Sequence, residues 1–217
     1  MIKPPSAAVD GAVVTARSAL VVLAALGVAA WWLARRYLIG RGWAVWPALA
    51  LLVLVPLAVV EVRAARFEAR LAAAAAPVSG SRGAFACERV LHGFWRSSGR
   101  PGEVWFDADG RPVRPAWLSG STCAAVRRQL AHPTTTDLQG IVALHTVVHE
   151  AAHLAGVRDE LLAECSAMAH DVQVWQRLGL PRDVAEASLA RYRAEVRPRL
   201  PDEYQGTCPQ PAVAPAG

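Results

Sequence analysis

Residues Asp137–Leu178 read DLQGIVALHTVVHEAAHLAGVRDELLAECSAMAHDVQVWQRL. Ile141, Leu144, Val148, Ala152 and Ala155 recur at spacings of three and four, which is the apolar face of a helix. One of Thr134, Thr135 or Thr136 supplies the cap oxygen for a helix beginning near Asp137. Gly156 stops it, because glycine takes positive φ without strain. Asp159 then caps a second helix that runs to about Leu178. A tight turn at Gly156 folds the second helix back antiparallel to the first.

That pairing places chemistry on facing surfaces. His149 and His153 lie four apart, so their rings project from one face about a turn apart and suit two ligands of a tetrahedral zinc ion. Glu150 stands beside them, placed to act on water rather than to bind the same ion. Zinc lowers the pKa of a bound water toward about 7, within reach of a carboxylate base. Glu160 falls on the first turn of the second helix and Glu164 one turn later, on the side facing His153 and His149. One carboxylate can complete the metal site while the other accepts the second ring N–H of a ligand histidine, fixing its tautomer. At this composition His-Glu-x-x-His arises by chance in roughly 0.01 of chains of this length.

His149-Glu150-Ala151-Ala152-His153 resembles the signature of the zincin metallopeptidases, and Asp159-Glu160-x-x-Ala163-Glu164 resembles the gluzincin element that follows it. The resemblance covers about Ile141 to Met168. It implies zinc held by His149, His153 and Glu160, Glu150 as general base and Glu164 behind a ligand histidine. The gap from His153 to Glu160 is shorter than in the better-known gluzincins. His149 to Asp159 is also similar to the metzincin pattern, with Asp159 as third ligand and Met168 offered for the Met-turn, although Glu160–Leu178 reads as one helix where a metzincin needs a loop. The order of preference for the third ligand is therefore Glu160, Asp159, Glu164. Gluzincins often use a distal Tyr or His to stabilise the transition state, which brings in Tyr192 and Tyr204. His145, one turn before His149, offers a place behind the ligands or facing substrate but reads first as a satisfied core or surface histidine; His170 could donate to an oxyanion but reads first as part of a solvated face; His92 and His132 carry no signal.

Outward from the helix pair, Ser121–Ala131 reads as a further helix starting near Ser121 or Thr122. Val104–Phe106 followed by Asp107-Ala108-Asp109-Gly110 reads as a short β-hairpin. Four cysteines, Cys87, Cys123, Cys165 and Cys208, all lie in this C-terminal part and none forms a Cys-x-x-Cys pair. Two disulfides in an oxidising compartment are expected, with all three pairings open.

The N-terminal part is of another kind. Ser18–Ala34 and Gly42–Val60 carry no charge and approach the ~20 residues of a membrane-spanning helix. Trp31, Trp32, Trp43 and Trp46 cluster at their inner ends, as indoles do at the headgroup zone. Trp31-Trp32 stands where a cleaved leader would have small residues, so both runs are expected to be retained. Residues 1–84 carry a net charge of +6 and residues 85–217 a net −1, so the basic excess lies beside the apolar runs. It suits anionic lipid headgroups and is not a nucleic-acid footprint.

The expected fold is mainly α. Residues 1–76 form a membrane anchor of two transmembrane helices, about 13–34 and 43–62, and 77–84 a linker. Residues 85–208 form a small, mainly helical α+β zincin-like domain with an active-site helix pair and a short β-hairpin, and 209–217 a disordered tail. The expected function is a membrane-anchored, zinc-dependent peptidase acting on a peptide or protein substrate, with the multi-pass anchor in the cell membrane and the catalytic domain extracytoplasmic. Arg35, Arg36 and Arg41 in the loop between the runs favour that orientation, whereas Arg63, Arg66 and Arg70 oppose it. Two rivals stand beside it: a catalytically inactive zincin-like or zinc-free envelope protein that binds a partner, and a cytoplasmic-facing domain, which free thiols would mark.

Overall fold

The structure is a computed structural model that describes residues 23–33, 35–37, 45–80, 84–88, 99–135 and 137–209. The chain divides into two compact units, Met1–Ala69 and Arg70–Gly217. Residues 23–33 and 35–37 of the first unit are helical, and helix α1 (Val45–Ser79) contributes residues to both units. Among the described residues no helix is long and apolar enough to cross a membrane, so the two-span hairpin is without structural support. Residues 13–22, 34, 43 and 44 of the expected spans lie outside the described residues, as do 81–83 of the linker and 210–217 of the tail. The linker reading also needs correction at its start. Pro77 and Val78 belong to α1, whose alanine-rich turns favour helix and whose Leu71, Ala74 and Ala75 are buried.

The second unit is mainly helical with one small sheet. Strand β1 (Phe85–Cys87) pairs parallel to β3 (Pro112–Leu118), and β2 (Gly102–Phe106) pairs antiparallel to β3. The sheet order is β1-β3-β2. The hairpin β2–β3 turns at Asp107, whose carboxylate accepts from the backbone N–H of Asp109 and Arg111. The register slips between Glu103 and Trp105, so β2, an edge strand among the described residues, is irregular.

Helix α2 (Gly120–Ala131) begins earlier than the sequence suggests, because the Ser119 hydroxyl caps it by accepting from the Thr122 N–H. Helix α3 (Leu138–Leu154) is capped by Asp137 and not by a preceding threonine: its carboxylate accepts from the Gly140 N–H. A carboxylate is the better partner for helix N–H groups, which carry partial positive charge. Helix α4 (Glu160–Leu178) is capped by Asp159, which accepts from the Leu162 N–H at 2.8 Å. Helix α5 (Arg182–Arg191) continues into a π-helical turn (Tyr192–Val196) and two 3-10 turns, Arg197–Arg199 and Asp202–Tyr204.

The core lies between α3, α4, the end of α1 and the sheet. Leu71, Leu118, Ile141, Leu144, Leu154, Trp175 and Leu178 are fully buried, each contributing about 1.5–3 kcal/mol over exposure. Arg70 donates to the Leu178 carbonyl, which closes the end of α4 against α1. Two disulfides, Cys87–Cys123 and Cys165–Cys208, tie β1 to α2 and α4 to the C-terminal segment.

Candidate metal centre

Helix α3 ends by its hydrogen bonds as well as by its sequence. The Val157 N–H donates to the Ala152 carbonyl and the Gly156 N–H to the His153 carbonyl, with Gly156 at φ 103°. This closing turn needs a left-handed residue, which glycine supplies. It also turns the Val157 carbonyl back onto His153, whose Nδ1 donates to it at 2.7 Å. The proton is thereby placed on Nδ1, and the Nε2 lone pair is left pointing away.

His153 Nε2 lies 3.0 Å from His149 Nε2 and 3.3 Å from Glu160 Oε2, and His149 Nε2 lies 3.0 Å from the same carboxylate oxygen. Ligand atoms around a tetrahedral zinc ion at 2.0–2.1 Å stand about 3.3 Å apart, so these three atoms nearly outline one face of that polyhedron. Two ring nitrogens and a carboxylate oxygen form an acceptor-rich donor set that suits a zinc ion. The described residues thus include a buried His/Glu group able to hold a metal ion. The His149 and His153 imidazoles beside it hold the Glu160 carboxyl well below the ordinary carboxylate range.

Glu150 occupies the next position on α3 and is 5% exposed. Its Oε2 is buried without a hydrogen-bond partner among the described residues. Burial pushes its carboxyl up to about 7, against the pull of His149 and His153. Such a group can both take and return a proton near neutrality. The backbone of β2 presses on it: a Cβ at Gly102 would stand 2.6 Å from Glu150 Oε1 and 2.7 Å from its Cγ. Only glycine allows this approach. Pro101 is anchored by its carbonyl, which accepts from the Ser119 N–H and from the Thr122 hydroxyl at 2.8 Å.

Behind this face lies a second His/Glu group, and His149 belongs to both. Glu164 Oε2 is 3.6 Å from His149 Nδ1, but its closer partners are His145 Nε2 at 2.8 Å and the Tyr192 hydroxyl, which donates to Oε1 at 3.1 Å. His145 Nδ1 lies 2.8 Å from Asp171 Oδ2, and the Tyr192 ring stacks on the imidazole with centroids 3.9 Å apart. Burial opposes charge on His145, yet Asp171 and Glu164 outweigh it and raise its pKa to about 9. Contacts therefore run from His149 near the start of α4 to His145 deeper along it, which is the antiparallel arrangement.

A cleft of about 470 Å³ opens over the outer group. Gly102, Glu103, Val104 and Phe106 of β2, Val142 and Thr146 of α3, and Val196, Leu200 and Tyr204 from the C-terminal turns line it. The Phe106 ring meets His153 edge-on at 6.2 Å, with the Arg158 guanidinium over its face at 5.5 Å. The Tyr204 ring stands 5.7 Å from that of His149, centroid to centroid. Burial and the Glu160 charge push its hydroxyl up to about 12, so it stays a neutral donor.

The structure thus brings His149, Glu150, His153 and Glu160 together and sets Glu164 one layer behind. Asp159 is spent as a helix cap, and Met168 is buried within an unbroken α4. His170 Nδ1 donates to the Ser166 carbonyl on its own helix, His132 ends α2, and His92 lies outside the described residues. His145 is a buried histidine with both ring nitrogens partnered, one of the places the sequence offered it, whereas Asp171 and Gly102 were not singled out. The one available signal was the spacing Glu160, Glu164, Asp171, which repeats one face of α4. No family model, no curated protein and no solved structure matches the chain.

Proposed function

We propose that the chain is a zinc-dependent peptidase whose metal is held by His149, His153 and Glu160. The observation that carries this reading is the convergence of the two histidine Nε2 atoms and Glu160 Oε2 at 3.0–3.3 Å, with a Glu150 oxygen at the same cleft that has no hydrogen-bond partner among the described residues. A zinc ion supplies Lewis acidity: it polarises a carbonyl oxygen and acidifies water.

The remaining work falls to side chains of this protein. Glu150 Oε2 takes a proton from the attacking water and returns it to the leaving amine, an exchange helped by a carboxyl raised toward neutrality. The Tyr204 hydroxyl, neutral at physiological pH and on a side chain that lines the same cleft, is the donor for a developing oxyanion. The outer edge of β2, unpaired among the described residues, offers backbone groups along which an extended peptide can align. His153 is held by Val157, and Glu164 stands behind His149.

Two disulfides support an oxidising, extracytoplasmic setting for this unit. The N-terminal unit is read as the membrane attachment. Its exposed Leu23, Leu26, Leu52, Leu57 and Val60 support contact with lipid, and the uncharged runs of the sequence support spanning.

The test is hydrolysis of an unstructured protein substrate by the zinc-loaded full chain, beside Glu150→Gln. Turnover in the parent, and its loss in Glu150→Gln with zinc retained, is the expected result. Equal turnover in both would overturn the assignment of Glu150.

A further inference from the structure

The histidine one turn before the ligands has no part in the proposed reaction, yet it is the most elaborately held side chain near the site. His145 is 4% exposed, and both its ring nitrogens face carboxylate oxygens at 2.8 Å: Nδ1 toward Asp171 and Nε2 toward Glu164. With both carboxylates ionised they only accept, and both ring nitrogens then donate. Tyr192 stacks on the ring and donates to Glu164. Arg193 adds positive charge near Asp171. Three separate elements, α3, α4 and the π-helical turn, therefore converge on one imidazole.

Isolated carboxylates in such a place are costly. Glu164 is 1% exposed and Asp171 fully buried. His145 is the cation that makes both tolerable. It also decides where Glu164 points. With Oε2 drawn to His145 and Oε1 to Tyr192, the carboxylate is fixed 3.6 Å from His149 Nδ1. An acceptor on that side favours the tautomer with its proton on Nδ1, which frees Nε2 toward His153 and Glu160.

We propose that His145 is a positioning residue: clamped between Asp171 and Glu164, it holds the Glu164 carboxylate against His149 and so aims the His149 Nε2 lone pair into the metal site. The inference rests on the metal reading given above for its second half, and on the buried network alone for its first.

The test uses the full chain in three forms: the parent, His145→Gln and Asp171→Asn. Zinc affinity is measured by chelator competition, the ligand field by the absorption of the cobalt-substituted protein, and the metal-free fold by far-ultraviolet circular dichroism. A folded His145→Gln that binds about 10–100-fold more weakly, with a shifted cobalt spectrum, is the expected result. Asp171→Asn retains the imidazole and should lose several-fold, so it serves if His145→Gln does not fold. Parental affinity and an unchanged cobalt spectrum in either folded variant would overturn the proposal. Nitrogen-resolved NMR of the metal-free parent tests the clamp without zinc. Two slowly exchanging ring N–H protons on His145 support it. One alone, with the other proton on Asp171, whose carboxyl burial pushes up, overturns it. A parent that shows both N–H protons yet binds no zinc keeps the clamp and overturns the metal reading.

Discussion

Two His/Glu groups share His149 and are built from the same residue types, but they do opposite work. In the outer group, His149, His153 and Glu160 present acceptor atoms to one another across 3.0–3.3 Å, in the lining of a cleft. In the inner group, His145, Glu164, Asp171 and Tyr192 match donors to acceptors beside His149, and the four side chains are buried. The first is short of a positive centre, which a metal ion would supply. The second carries its own in an imidazolium. Ligand-type residues in a cluster therefore do not define a metal site; what decides is whether protons already satisfy them. Outer substitutions should cost metal and spare the metal-free fold, and inner ones should cost the fold first.

The largest effect is expected at His149, the residue common to both. His149→Ala should lose essentially all bound zinc, measured as metal per chain, because a two-ligand remnant is a weak site. Glu150→Gln should keep zinc and lower turnover by about 10²–10⁴-fold, measured with saturating peptide. If both variants behaved alike, Glu150 would be part of the metal site and not of the chemistry.

Next in size is the contrast between His153→Ala and Asp171→Ala in the metal-free chain. Asp171→Ala strands His145 in a buried setting and should destabilise by about 3–5 kcal/mol, by denaturant titration. His153→Ala relieves a crowded set of acceptors and should leave stability within about 1 kcal/mol of the parent. Equal losses would erase the distinction between the two groups.

The inner group should also show in the pH dependence of stability. Asp171 and Glu164 of α4 and Tyr192 of the π-helical turn face His145, with His149 and Arg193 nearby. Its pKa rises on folding from 6.5 to about 9, the carboxylates outweighing burial. Its contribution is thus whole below pH 6.5 and is lost as pH climbs to about 9. In chelator, the stability gap between the parent and His145→Gln should shrink by up to about 3 kcal/mol over that window. A gap that stays constant would mean that the ring is neutral throughout. The smallest effect belongs to His170, a histidine outside both groups: His170→Ala should change neither zinc content nor stability by more than about 0.5 kcal/mol.

The helix pair was legible because its information is local. Apolar spacing, the Asp159 cap and Gly156 all sit within the segment they shape, and the Asp-Ala-Asp-Gly turn declared its hairpin the same way. What escaped depends on partners far along the chain. His145 has several readings open until Asp171, 26 residues away, is brought beside it. Gly102 is an unremarkable strand residue until α3 carries Glu150 against it. The parallel strand β1 is three residues long and finds its partner only at Ala116–Leu118, so no periodicity could announce it. At the start of α3, three threonines and Asp137 all offer a capping oxygen, and composition cannot rank neighbours that do the same job. Pro77 read as a linker because proline breaks isolated helices, whereas buried Leu71, Ala74 and Ala75 hold α1 through it.

The outer group is the centre of the account, and metal content tests it most directly. The full chain, expressed under oxidising conditions and purified without chelator, would be assayed for zinc beside His149→Ala, His153→Ala and Glu160→Ala. One zinc per parent chain, with a large loss in all three folded variants, is the result expected. A folded parent without zinc, or one whose zinc survives these substitutions, would contradict it.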